Sequence, residues 1–274
     1  MRAFLFGCAL IAAAFATAAA ASALPLPRPA HIVVVVEENR TLHEVVGSGS
    51  APYLTTVAKA GALFTNAHGE THPSLPNYFA LFAGLTNDNG DDCPATGISP
   101  NAPNLASELL AARLTFAAYS EALPAPGFRG CSAGTYARKH APWVHFANVP
   151  HRLHQPLTAL RAFDELATVT FIVPDVDDDM HDGNVRMGDD WAKAHLAPLV
   201  RWADAHDTLV IVTWDEGLDA TNSIPTFFAG PMVRPGTYPE RVDHYRLLRT
   251  IEAMYGLIPT GRAAAAAPIV DCWK

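Results

Sequence analysis

The chain is 274 residues long, 50% hydrophobic and 17% charged, with a formal net charge of −8 at pH 7. That length suffices for one large domain or two small ones. An acidic chain lacks the basic face that nucleic acid or an anionic membrane surface requires, so neither is an expected partner. Twelve histidines stand against nineteen lysines and arginines. Histidine is the commonest metal ligand and titrates nearest neutrality, so that excess hints at chemistry.

Residues 1–23 hold one charge, Arg2, then the apolar run Phe4 to Ala16, and close on Ala21-Ser22-Ala23. This reads as a cleaved secretory signal followed by a single domain over 24–274, placing the protein outside the cell or in the periplasm. The apolar run falls short of the ~20 residues a membrane span needs, and no later run is long enough, so no stable membrane association is expected. Export permits disulfides. Cys93 and Cys131 lie in Gly/Pro-rich loops and are paired here, which leaves Cys272 over.

In chain order, His31 to Val36 (HIVVVV) has the continuous β-branched character of a strand buried on both faces. Helices follow at Pro52 to Ala60, with proline in the first turn, and at Leu75 to Ala83, opened by Ser74 and stopped by Gly84. Asn87 to Pro103 reads as a surface loop. Asn104 to Leu114 has apolar residues at helical spacing, and Thr115 to Tyr119 is a short strand. Thr168 to Val173 is a strand, Asp190 to Ala205 an amphipathic helix, and Thr208 to Trp214 and Pro225 to Ala229 further strands. Asp243 caps a last helix that runs to Tyr255 before Gly256. Alternating strands and helices predict an α/β fold, a three-layer α/β/α sandwich with a mainly parallel central sheet.

Open α/β sheets bind ligands at the carboxyl ends of their strands. Glu37, Glu38, Asn39 and Arg40 follow the first strand. Asp175, Asp177, Asp178, Asp179, His181 and Asp182 follow TVTFIVP, and Asp215 and Glu216 follow TLVIVTW. Crowded carboxylates stay ionised together when a cation lies among them. Oxygen donors suit Mg²⁺, Ca²⁺ or Mn²⁺, and histidines admit Zn²⁺. In Thr71-His72-Pro73-Ser74-Leu75-Pro76-Asn77, Ser74 stands just before an apolar helix. It is an N-cap, a nucleophile placed where free N–H groups and the helix dipole favour a phosphate, or both at once, since a nucleophile can also cap its helix.

The segments VVVEENR, GALFTNAHGETHPSLPNYFALFAG, DMHDG, VTWDEG and DHYRLLRTIEAMYG together resemble the bacterial phosphoesterase family, over about His31 to Gly256. That family includes secreted acid phosphatases and phospholipase C-type enzymes and belongs to the alkaline phosphatase superfamily. The resemblance implies metal-assisted phosphoryl transfer through a phosphoserine. Ser74 matches the nucleophile, and Asn77 stands beside the transferred phosphoryl group. Glu38, Asn39, Asp215 and Glu216 match metal ligands, with Asp179 from the D-M-H-D stretch. His181 and His244 are the candidate acids for the leaving oxygen, and His72 and His140 are candidate substrate contacts, His72 being otherwise a loop brace and His140 otherwise a structural hydrogen-bonding residue. Nucleotide pyrophosphatases of the same superfamily look similar around Ser74, with threonine in its place.

The expected partner is a small phosphorylated molecule, and the expected activity is acid phosphatase on phosphomonoesters. A phospholipase C-type phosphodiesterase is the enzymatic alternative. A secreted calcium-binding module is the non-enzymatic one.

Overall fold

The structure is a computed structural model and describes residues 26–87, 90 and 93–274. The expected signal, residues 1–23, lies outside the described residues.

The continuous apolar run HIVVVV forms β1 (His31–Glu37), buried along nearly its whole length. It lies between β7 (Val169–Val173) and β8 (Thr208–Trp214), both parallel to it. β3 (Phe116–Ser120) pairs with β7, and β6 (His154–Pro156) pairs with β3, again in parallel. On the other side β9 (Thr226–Ala229) runs antiparallel to β8 and to β2 (Ala62–His68). β10 (Gly236–Asp243) closes that edge parallel to β2. The order across the eight-stranded sheet is β10-β2-β9-β8-β1-β7-β3-β6. The two remaining strands, β4 (Ser132–Ala133) and β5 (Tyr136–Ala137), form a separate ribbon. The mainly parallel sheet is as expected. β2, β6 and β10 are not among the expected strands.

The helices are α1 (Leu42–Val45), α2 (Pro52–Ala60), α3 (Ser74–Ala83), α4 (Leu105–Ala111), α5 (Val185–Ala203) and α6 (His244–Tyr255). α2 packs with α5, and α3 packs with α6 and α4. α5 begins five residues before the expected Asp190, because Asn184 accepts the N–H groups of Arg186 and Met187 and caps an earlier turn. Among the described residues no helix is long and apolar enough to cross a membrane. Cys93 and Cys131 form a disulfide across 38 residues of sequence, and Cys272 is free and buried.

Two buried acids hold this frame from a distance. α2 starts on Ala51, which has no capping side chain. Asp189 of α5 replaces it, accepting the N–H of Tyr53 at 3.1 Å and of Leu54 at 2.7 Å. Exchanging Asp189 for Ala orphans two helix donors at a buried site, and the expected cost is about 2–3 kcal/mol. Urea unfolding should show a lowered midpoint with an unchanged slope, and Asp189→Asn should fall between the two.

On α6, Glu252 accepts both the N–H and the hydroxyl of Thr260, at 2.8 and 2.7 Å. Burial pushes its carboxyl up to about 7, above the ordinary carboxylate range. A group whose pKa rises on folding contributes stability at low pH and loses it as pH climbs through the folded value. The wild-type chain should therefore lose stability between about pH 4.5 and 7. Glu252→Gln should flatten that segment of the urea-midpoint profile.

Candidate active site

The register of the central strands builds the site. β1 and β8 are parallel with Glu37 opposite Trp214, so Glu38-Asn39 and Asp215-Glu216 leave the sheet side by side. The Asp215 N–H donates to the Glu37 carbonyl at 3.0 Å, and the Asn39 N–H donates to Asp215 Oδ1 at 3.1 Å. The loop after β7 joins from the other flank, where the Glu38 N–H donates to the Asp179 carbonyl at 2.8 Å. Asn39 takes the left-handed conformation, φ 55°, which asparagine tolerates better than most residues. Arg40 ties the same corner down by donating to the carbonyls of Asn39 and Gly183, each at 2.8 Å.

Ser74 is the first residue of α3, and the residue that caps the helix is Pro73. The serine hydroxyl does not return to the helix N–H groups. It donates to Glu38 Oε2 at 3.1 Å. Of the two sequence readings, capping does not describe this hydroxyl. All ten residues of α3 are buried, so the hydroxyl is carried on a fixed element at the end of the helix with the positive dipole.

His140 bridges two carboxylates. Its Nε2 lies 2.9 Å from Glu38 Oε1 and its Nδ1 lies 2.9 Å from Asp179 Oδ2, all three side chains being buried. Its ring stacks on Tyr78 of α3 at 5.4 Å. Burial alone would push His140 down, but Glu38 and Asp179 outweigh it and raise it to about 10. Burial likewise pushes Glu38 up, and His140 with His181 behind it outweighs that and holds the carboxyl at about 2. Asp179 stays raised at about 6, burial being the larger effect. Asp215 is pushed well above the carboxylate range by burial and by the charges of Glu38 and Glu216. One histidine therefore balances fewer charges than the site contains.

The donor set fits a hard divalent cation. Among the described residues, Asn39 Oδ1 and Asp215 Oδ2 are buried without a hydrogen-bond donor. Both are oxygens of the kind that Mg²⁺, Ca²⁺ and Mn²⁺ prefer. Glu38, His140 and His181 also present ligand atoms within 4.8 Å of one another.

The other expected site residues lie around this centre. Glu216 Oε2 is 2.5 Å from Nδ1 of His72, whose side chain is half-exposed. Asn77 has its whole amide engaged with the loop before α3: Oδ1 accepts the N–H groups of Glu70 and Thr71, and Nδ2 donates to the carbonyls of Thr71 and Pro73. His181 lies between Asp182 at 2.7 Å and Lys139 Nζ at 2.8 Å, with its ring 5.6 Å from that of His140. His244 is buried, and burial lowers its pKa. Its Nε2 donates to the Trp214 carbonyl at 2.9 Å, which places the lone pair on Nδ1. Asp175 closes its own loop, accepting from the N–H groups of Asp177 and Asp178 and from the Thr135 hydroxyl.

Sequence reasoning passes over Glu70, which accepts the His244 N–H at the start of α6 at 3.1 Å. Burial and the charge of Asp243 raise its carboxyl to about 7. Its position inside HGETHPS, next to the nucleophile candidate, is the signal that points to it.

The sequence profile of the Phosphoesterase family matches residues 48–258. The phosphatidylinositol-3-phosphatase of Mycobacterium tuberculosis is 49% identical over 249 residues, 89% of this chain and 83% of that protein. An acid phosphatase of Aspergillus fumigatus is 32% identical over 241 residues, 78% of this chain but 53% of its own length. Thus the chain spans about half the length of that fungal relative. Among solved structures, a protein of the alkaline phosphatase superfamily from Vibrio parahaemolyticus matches with TM-score 0.62 at 12% identity, over 89% of this chain and 71% of that one. The lipoteichoic acid synthase LtaP from Listeria monocytogenes matches with TM-score 0.63 at 10% identity, over 86% and 74%. At such identities the likeness is one of fold. The family profile and the sequence relatives go further: the chain belongs to the phosphoesterase family and is a phosphoric ester hydrolase.

Proposed function

We propose that this protein is an exported, metal-dependent acid phosphatase that cleaves phosphomonoesters through a phosphoserine on Ser74. The observation that carries the reading is the Ser74 hydroxyl, at the head of a buried helix and directed onto Glu38 rather than into its own helix. The relatives are named for phosphatase activity, which favours monoesters over the phospholipase C-type alternative. The Cys93–Cys131 disulfide supports an exported protein. The separate packing groups α2–α5 and α3–α4–α6 support the three-layer sandwich.

Glu38, Asn39, Asp215 and Glu216 would hold the cation, with Asp179 acting through His140. The cation would supply neutralising charge for a phosphate entering a pocket of carboxylates. The Ser74 hydroxyl, its pKa lowered by a cation held there, gives its proton to solvent, and Oγ forms the bond to phosphorus as the ester oxygen leaves. The positive end of the α3 dipole would favour the phosphoryl oxygens. Asn77 keeps the loop before Ser74 in place, since its amide is committed there. His181 or His244 would protonate the leaving oxygen: His181 has its ring nitrogens against Asp182 and Lys139, and His244 is buried with its N–H engaged by the Trp214 carbonyl. His72 steers Glu216. Water then cleaves the phosphoserine and restores the hydroxyl.

Ser74→Ala should abolish turnover of p-nitrophenyl phosphate, by at least about a thousandfold, with an unchanged circular dichroism spectrum. Appreciable residual turnover would remove Ser74 from the mechanism. His140→Gln breaks the bridge that aims Glu38. The expected effect is a loss of about 10–100-fold in cation affinity. After chelation, adding back Mg²⁺, Ca²⁺, Mn²⁺ or Zn²⁺ singly should restore wild-type turnover at low concentration and the variant's only in excess. Full activity of the chelated enzyme would overturn the metal dependence.

A further inference from the structure

Beside the nucleophile lies a second, polar cavity of about 320 Å³ that the chemistry above does not use. His72 and Pro76 both line it, so it begins within two residues of Ser74 on either side. Glu70, Tyr245 and Arg262 line it as well. Among the described lining residues, Arg262 is the one permanent cation. Its Nη1 donates to the Tyr245 hydroxyl at 3.2 Å, and its guanidinium lies over the Tyr245 ring at 5.9 Å. These two contacts hold the guanidinium at the cavity wall, where it keeps further donors beyond the one given to Tyr245.

The segment carrying Arg262 is built onto the nucleophile helix rather than draped over it. Gly84 ends α3 with φ +66°, and a Cβ there would lie 2.2 Å from the Thr260 carbonyl oxygen. Gly261, at φ +47°, would place a Cβ 2.2 Å from the Gly84 carbonyl oxygen. Only two glycines permit this approach, and the Arg262 N–H closes it by donating to that same carbonyl at 2.6 Å. Glu252 pins Thr260 from beneath. Thus α3 carries Ser74 at one end and clamps the Arg262 turn at the other.

We propose that this cavity receives the alcohol part of the substrate and that Arg262 selects esters whose alcohol bears a second anionic group, a carboxylate or another phosphate. A planar guanidinium matches either group bidentately. The proposal rests on Ser74 being the nucleophile, because that places the ester bond at the cavity mouth.

The test compares three monoesters: glycerol 3-phosphate, with a neutral alcohol; 3-phosphoglycerate, with a carboxylate; and propane-1,3-diol bisphosphate, with a phosphate. The wild type should favour both anionic esters over glycerol 3-phosphate in kcat/KM by about tenfold, the scale of one charge-assisted pair, mainly through KM. Arg262→Gln should bring that ratio close to one, and Arg262→Lys should recover part of it. Preference for one anionic ester alone would identify which group the fork accepts. Equal kcat/KM for all three in the wild type, or a ratio untouched by Arg262→Gln, overturns the proposal. Calorimetric titration of the Ser74→Ala protein with the same compounds separates this from the reaction. Discrimination that persists there without any wild-type turnover overturns the phosphatase reading and leaves the anion site standing. Equal affinities overturn the anion site.

Discussion

Four acidic side chains, Glu38, Asp179, Asp215 and Glu216, are buried within one corner of this fold, and that concentration of negative charge is the constraint the surrounding structure answers. Taking one carboxylate out of water costs several kcal/mol unless it is paired. Here the parallel register of β1 and β8 forces two acid pairs together, because Glu37 and Trp214 are opposite partners. His140 relieves part of the repulsion by touching Glu38 and Asp179 at once. It cannot also neutralise Asp215, which stays well above the usual carboxylate range. Uncompensated charge of this kind is what a bound divalent cation would offset.

The same constraint accounts for the rigidity around the site. Ser74 stands beside neighbouring acids on a helix buried on every side. Asn77 fixes the loop before that helix, and Gly84 with Gly261 fixes its far end. Even remote buried acids serve order rather than chemistry. Asp189 caps a helix it does not belong to, and Glu252 anchors a turn. An acidic residue inside this protein is therefore informative only through its partners.

How much of this is readable from the chain depends on whether the signal is local. HIVVVV and TLVIVTW announce buried strands because such strands are apolar on both faces, and Asp243, Gly84 and Gly256 mark helix ends by chemistry of their own. β10 (GTYPERVD) escapes because it is an edge strand, largely exposed and interrupted by Pro239. β2 escapes because Thr65 and Asn66 face solvent and break the apolar run. The acid clusters are visible after each strand, yet their division is not. Asp175 has its carboxylate folded back on its own loop, and Asp179 faces inward, a difference of backbone path that composition does not encode. His140 bridges residues far from it in sequence. That bridge exists only once β1 and the loop after β7 are adjacent.

The acidic corner and the cavity beside it are built by different parts of the chain. The acidic corner is made by strand register and strand-end residues, the least adjustable parts of an α/β sheet. The cavity beside it is lined by the loops on either side of α3, by Tyr245 in the first turn of α6 and by Arg262 in the turn Gly261–Ala265 that is clamped to the end of α3. Replacing side chains on that turn leaves the sheet, the bridge through His140 and the serine untouched. A phosphatase acting on a lipid headgroup and one acting on small esters could thus use the same corner and differ in what one guanidinium meets. On the proposed reading, the strand ends would determine that a phosphoryl group is transferred, and Arg262 on the 3₁₀ turn would bias from which alcohol.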